Sequence, residues 1–205
     1  MSPRHPNPFS PPSSRRRPTG RAPACILACA LVAGVLAPGI ATVTAARADP
    51  PDPNSVKAEM LGNMAKFVQW PDAIMSQNHG QLVVAVLGED DLAAAIASVL
   101  STRSVNGKPV FVRFARRVQD VRGCQIVYIA GSELSHAPEV VDALRGSPTL
   151  TLADADGFVV HGGMVDFTGA APNFRFEICQ ERAEQAGLRI SSRLLAIAHV
   201  VPAVN

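Results

Sequence analysis

Acidic residues are missing altogether from the first 48 positions, which hold six basic ones: Arg4, Arg15, Arg16, Arg17, Arg21 and Arg47. The rest of the chain then carries 13 basic against 17 acidic residues, a balance of −4 that the formal net charge of +2 conceals. A mildly acidic folded part excludes a nucleic-acid binder, because neutralising phosphates takes a clustered basic surface. Cysteine is scarce too. Of four, only Cys124 and Cys179 lie beyond residue 48, too few for a disulfide framework or a thiolate metal site. His79, His136, His161 and His199 are scattered without paired spacing, so no metal is expected. Long apolar runs are also absent: Ala24 to Pro38 has 15 residues, short of the roughly 20 that a membrane-spanning helix needs.

What is present at the N-terminus has the order of an export signal. A stretch rich in Pro, Ser and Arg leads into the apolar segment, and Ala46-Arg47-Ala48 supplies the small-x-small pattern that signal peptidase reads. Cleavage is placed after Ala48, so the mature protein begins at Asp49, has 157 residues and keeps no stable membrane anchor. Pro38-Gly39 argues against an uncleaved spanning helix, and Pro18 stands where a twin-arginine signal wants apolar residues. Residues 49–54 form a short linker, and residues 55–205 a single domain.

That domain alternates strand and helix. The apolar residues Met60, Leu61, Met64, Phe67 and Val68 fall at helical spacing, which predicts a helix of about four turns from Lys57 to Trp70, stopped by Pro71. Leu82 to Leu87 is a buried strand, and Asp90 or Asp91 caps a helix over Leu92 to Leu100. Val110 to Ala115, Cys124 to Ala130 and Thr149 to Ala153 are further strands, with a helix over Glu133 to Leu144. Met164 to Thr168 and Phe174 to Cys179 form a hairpin, and a broken helical stretch runs from Gln180 to Val201. The expected fold is α/β: a mainly parallel sheet with helices on both faces, ending in an antiparallel hairpin and a C-terminal helix. The short connection from Ala153 to Met164 predicts that the strand beginning at Met164 runs antiparallel to the rest and that Phe174 to Cys179 runs parallel. Cys179 would then end one strand where Cys124 starts another, about 17 Å away against a limit of about 7 Å, which argues against a Cys124–Cys179 disulfide. An oxidising compartment argues for it.

The stretch Lys57 to Pro71, reading KAEMLGNMAKFVQWP, resembles the opening signature of the YfiR family. The likeness continues through Leu87-Gly88, Val105-Asn-Gly-Lys108, Gly123-Cys124, Gly162-Gly-Met-Val-Asp-Phe167, Arg175-Phe-Glu-Ile178 and Gly187-Leu-Arg-Ile-Ser-Ser-Arg-Leu-Leu195. This resemblance implies a periplasmic regulator without catalytic chemistry or cofactor. Its implied partner is the periplasmic sensor domain of an inner-membrane diguanylate cyclase, repressed to control cyclic di-GMP; a homodimer stays open as a further association. A small-molecule binding module that does not act on a cyclase is the alternative.

Each candidate site has a plainer reading. The loops at the carboxyl ends of the parallel strands, carrying Gly88, Glu89, Asp90, Asp91, Ser132, Glu133, Asp154 and Phe158, are the default surface for a partner. Gly88-Glu-Asp-Asp91 carries three acids where a phosphate loop would sit, which complements a helix N-terminus rather than a phosphate. Ser132 reads as an N-cap for the helix from Glu133. Trp70 is either a partner-facing anchor or a plug under the first helix. His161-Gly162-Gly163 resembles a hydrolase oxyanion element, but no Gly-x-Ser-x-Gly elbow exists in the chain, so it reads as a turn with glycines at positive φ. Asp154 and Asp156 read as a solvated loop pair. Arg175 and Glu177 alternate with Phe174, Phe176 and Ile178, which an edge strand explains more simply than a buried ion pair.

Overall fold

The computed structural model describes residues 51–171 and 173–204. The export segment expected over residues 1–48 lies outside them. Asp52 opens the first helix, α1 (Pro53–Ala65): its carboxylate accepts from Ser55 N at 2.9 Å, and Pro53 sits where a missing N–H costs nothing. The helix thus starts inside the expected linker and ends earlier than the periodicity predicts. Lys66 N and Phe67 N bond to Asn63 O and Met64 O, tightening the last turn, and the chain leaves as a short strand β1 (Val68–Gln69). Val68 is buried in that strand, not on a helix face.

After α2 (Asp72–Gln77) comes β2 (Leu82–Leu87), buried at all six positions as its unbroken apolar run requires. Then follow α3 (Asp91–Leu100), β3 (Ser104–Val105), β4 (Lys108–Ala115) and β5 (Ile126–Ile129). The helix expected over 133–144 is divided into a 3-10 segment, Gly131–His136, and α4 (Ala137–Ala143), with Pro138 in the first turn of α4, where it fits a start better than an interior. The chain continues through β6 (Leu150–Ala153), β7 (Val165–Thr168), β8 (Arg175–Ile178) and α5 (Gln180–Gln185). The expected terminal helical stretch is interrupted by two strands: β9 (Arg189–Ile190), α6 (Ser192–Leu195) and β10 (His199–Val200) complete it.

Eight strands form the main sheet in the order β10-β8-β7-β6-β5-β2-β4-β3, while β1 and β9 pair antiparallel as a separate ribbon. β2 is parallel to β4 and β5, β5 to β6, and β6 to β7; β7 and β8 are the antiparallel hairpin. The direction expected for the hairpin is therefore reversed. Residues 154–164 do not simply turn back but make a compact crossover that returns the chain to the same end of the sheet, so β7 is parallel and β8 is not. Cys179 and Cys124 consequently lie at the same end, separated by three strand spacings, about 14 Å. Both are buried and free, and the separation exceeds disulfide reach. β8 is not an edge strand either, because β10 pairs with it through His199 and Val200, and the imidazole of His199 meets Glu177 at 2.9 Å.

Strand alternation divides the core. Val84, Val86, Ile126, Tyr128, Leu150 and Leu152 pack under α1 and α3, whereas Val83, Ala85, Leu87, Val127, Ile129 and Ala153 pack under α4. Both faces are covered, so the loops at the strand ends are left as the places where polar chemistry reaches solvent.

Candidate functional site

The carboxyl ends of β2, β5 and β6 bring three loops side by side, and Asp90 ties the first two together. One oxygen of its carboxylate accepts from Ala93 N at 2.6 Å and caps α3. The other accepts from the Tyr128 hydroxyl at 2.8 Å and from Gly131 N at 2.7 Å. Tyr128 is fully buried, and burial, reinforced by the adjacent Asp90 carboxylate, pushes its phenol far up, so it acts as a donor throughout the physiological range. Asp90 is thus a structural joint between β2, β5 and α3.

Ser132 does not cap the helix that follows it. Its hydroxyl accepts from Glu89 N at 3.0 Å, tying the β5 loop back to the β2 loop. Gly88 lies in the left-handed region at φ 87°, and a Cβ there would come within 2.5 Å of Ser132 Oγ, so both conformation and closeness demand glycine. Glu133 pairs with His136 at 3.1 Å. Glu89, Ser132 and Glu133 line an open cleft of about 710 Å3 together with Gly88, Phe114, Ala115 and Arg116. Asp91 is exposed in the first turn of α3, complementing its dipole.

The third loop is held from two directions. Asp154 receives both its bonds from Lys57 Nζ, at 2.6 and 2.7 Å, and that ammonium lies 5.0 Å from the Phe174 ring centre. Asp154 is therefore an ion-pair partner of α1, not half of an acid pair with Asp156. Inside the loop, the fully buried Asp166 accepts from Ala155 N and Phe158 N, each at 3.1 Å. Burial raises its pKa to about 6 despite those two bonds, with Glu177 and Asp156 adding to the rise. Phe158 is buried against Gly163, so it anchors the loop from inside and is no contact residue.

Trp70 belongs to neither the loops nor their end of the sheet. It is half-buried, and its Nε1–H donates to Gln125 O at 3.0 Å, before β5 begins. Gln125 itself escaped the sequence reading. Fully buried, it accepts from Val83 N at 2.8 Å and Asn78 Nδ2 at 3.1 Å, while its amide donates to Gln81 O at 3.3 Å. The signal for Gln125, Tyr128 and Asp166 alike was a lone polar residue inside an apolar run, which native cores keep only when it is bonded. Gly162 has the positive φ expected of the His161 turn, at 107°; Gly163 does not, and is required instead because a Cβ would lie 2.2 Å from the Phe158 ring.

A cavity of about 450 Å3 opens at the opposite end of the sheet, lined by Val141, Arg145, His161, Met164, Arg182 and Val204 among others. Arg182 is already committed there, bonding Val159 O, Gly163 O and Val204 O. Among the described residues, no group of three or more His, Cys, Asp or Glu is placed to hold a metal, and no helix is long and apolar enough to cross a membrane.

A family model described as DUF4154, YfiR/HmsC-like, matches residues 54–199. No curated protein matches the chain. Among solved structures, a conserved domain protein from Vibrio cholerae O1 biovar El Tor is 14% identical with a TM-score of 0.49, over 72% of this chain and 60% of that one. The ABC domain in complex with L-Trp from Streptococcus pneumonia is 12% identical with the same TM-score, over 73% and 62%. The chain spans about three fifths of the length of each. At that level neither likeness bears on function.

Proposed function

The chain belongs to the YfiR/HmsC-like family, and from that premise we propose that it is an exported regulator of cyclic di-GMP signalling. More narrowly, it holds an inner-membrane diguanylate cyclase in a low-activity state by binding the cyclase's periplasmic sensor domain. The observation that carries the reading is the family match, which runs through every element from α1 to the start of β10. Repression of this kind requires that the protein bind the inactive arrangement of its target more tightly than the active one. Equal affinity for both would shift nothing, and moving a population from 1:99 to 99:1 takes a preference of about 10⁴-fold.

The loops at the carboxyl ends of β2, β5 and β6 suit a surface that must keep its shape. Asp90 and Ser132 cross-link the first two and Lys57–Asp154 fastens the third to α1, leaving Glu89, Asp91 and Glu133 as the side chains able to meet a partner. The small-molecule reading has one observation in its favour, the cavity beside Arg145 and His161, which lies away from those loops.

Cellular cyclic di-GMP tests the proposal. It is measured in the wild-type strain, in a deletion strain, and in the deletion strain complemented with the full gene or with a version lacking residues 2–48. A rise on deletion, reversed only by the full gene, is expected. No change in any strain, with the protein shown to be made and exported, would overturn the regulator reading. Mass spectrometry of the exported protein should find Asp49 at its N-terminus.

A further inference from the structure

The outer edge of β4 is open over most of its length. β3 pairs with Lys108 and Pro109 alone, and Val110 N then donates outward to Arg103 O at 3.2 Å. Backbone groups alternate along a strand, so those of Val112 and Phe114 point to the same outer side, where no strand pairs with them among the described residues. Two large aromatic side chains flank this gap without being covered: Phe111 is 54% exposed and Phe114 61%. They sit on opposite faces of the sheet, since Phe111 is in register with Val83 and Phe114 with Val86. A row of free main-chain groups with an exposed ring on either face is what strand addition uses: hydrogen bonds for affinity, side-chain contacts for selectivity.

Charge decides what kind of strand fits. Residues 108–122 carry five basic side chains, Lys108, Arg113, Arg116, Arg117 and Arg122, and one acidic, Asp120, although the chain beyond residue 48 is net acidic. Arg117 is paired with Asp120, and Arg113 is turned inward, donating to Cys124 Sγ at 2.7 Å and Arg122 O at 3.4 Å. Lys108, Arg116 and Arg122 are exposed and in no ion pair among the described residues. Glu89 and Glu133, across the cleft from Arg116, bound the basic stretch at one end. A second copy paired edge to edge would bring this basic stretch against itself, and like charges brought together repel.

We propose that the β4 edge is a docking site for an extended acidic segment of a partner protein, which adds as a strand beside Val112 and Phe114 and packs apolar side chains against Phe111 and Phe114. This goes beyond the regulatory reading and does not require the partner to be a cyclase.

The test pans a phage-displayed library of random twelve-residue peptides on the purified full chain. It then measures the affinity of the enriched peptides by fluorescence anisotropy. Enriched peptides should alternate apolar residues with Asp or Glu and weaken as salt rises. Affinity should fall at least tenfold in the Lys108→Glu/Arg116→Glu variant and in Phe111→Ser/Phe114→Ser. These replace exposed residues and should keep the wild-type circular dichroism. Val112→Pro, which removes an outward N–H without breaking the β2 ladder, should do the same. Peptides without acidic bias, no enrichment at all, or affinities unchanged by these variants would overturn the proposal. So would a wild-type dimer that Val112→Pro converts to monomer, since a second copy would then occupy the edge. Because purified chain and peptides are used, failure here is distinguishable from failure of the cyclic di-GMP experiment.

Discussion

Replacing Asp90 by alanine should cost far more than an ordinary surface-loop substitution, because three donors lose their acceptor together. Ala93 N loses the cap of α3, worth about 1 kcal/mol. The Tyr128 hydroxyl is left inside the protein with nothing to bond, a penalty of about 1–3 kcal/mol. Gly131 is exposed, so its N–H rehydrates at little cost. The expected loss is about 2–4 kcal/mol, which in a domain of this size lowers Tm by about 5–15 °C. Urea and thermal unfolding followed by circular dichroism measure it. Tyr128→Phe alone should cost about 1 kcal/mol, since Asp90 keeps both backbone donors. In the double variant the buried hydroxyl no longer exists, so the two losses should fall short of additive by about 1–2 kcal/mol. A loss under about 1 kcal/mol for Asp90→Ala, or strict additivity, would refute the assignment of Asp90 as the joint between β2, β5 and α3.

Asp166 makes stability depend on pH in the direction opposite to a salt-bridged carboxylate. Its folded pKa, about 6, lies above that of an unfolded aspartate, so the folded state binds the proton more tightly. The stabilisation is fully present below pH ~4 and is lost as pH rises through about 6, an effect of about 3 kcal/mol. In urea unfolding, wild type should gain on Asp166→Asn as pH falls from 7.5 to 4.5; a constant difference would contradict this. Gly163→Ala should destabilise by about 2 kcal/mol or more through its clash with Phe158, and Phe158→Leu in the same chain should restore part of the loss. Gln125→Leu should cost about 1–3 kcal/mol by orphaning the buried Val83 N, read by urea unfolding, while Trp70, bonded to the main-chain carbonyl that the variant keeps, should hold its emission; a loss under about 0.5 kcal/mol would contradict the role given to the Gln125 side chain.

Local pattern and composition determined much of this protein. The unbroken apolar run Leu82–Leu87 reads as a strand buried on both faces, and Asp90 or Asp91 before an alanine-rich segment reads as its cap, so β2 and α3 lie where the residues alone put them, while the fold chose Asp90 as the cap. The KAEMLGNMAKFVQWP signature and the motifs after it carried the family in advance of any coordinates. Strand direction was not legible in the same way. Whether residues 154–164 reverse the chain or carry it across depends on Asp166, one strand later, gathering Ala155 N and Phe158 N beneath the loop. Val68 and Ile190 are unremarkable at helical spacing until they are brought together as a two-stranded ribbon, and His199 signals nothing until it closes over β8. Among the candidate residues, Phe158, Asp154 and Trp70 were chosen by their place near a loop or a helix end. Tertiary packing then buried the first, paired the second with Lys57 and put the third at the other end of the sheet. The physical reason is the range of the forces involved. Side-chain periodicity and capping act over a few residues and are written in the local order of the chain. Strand pairing, buried hydrogen bonds and open edges depend on partners tens of residues away, which only the folded chain selects.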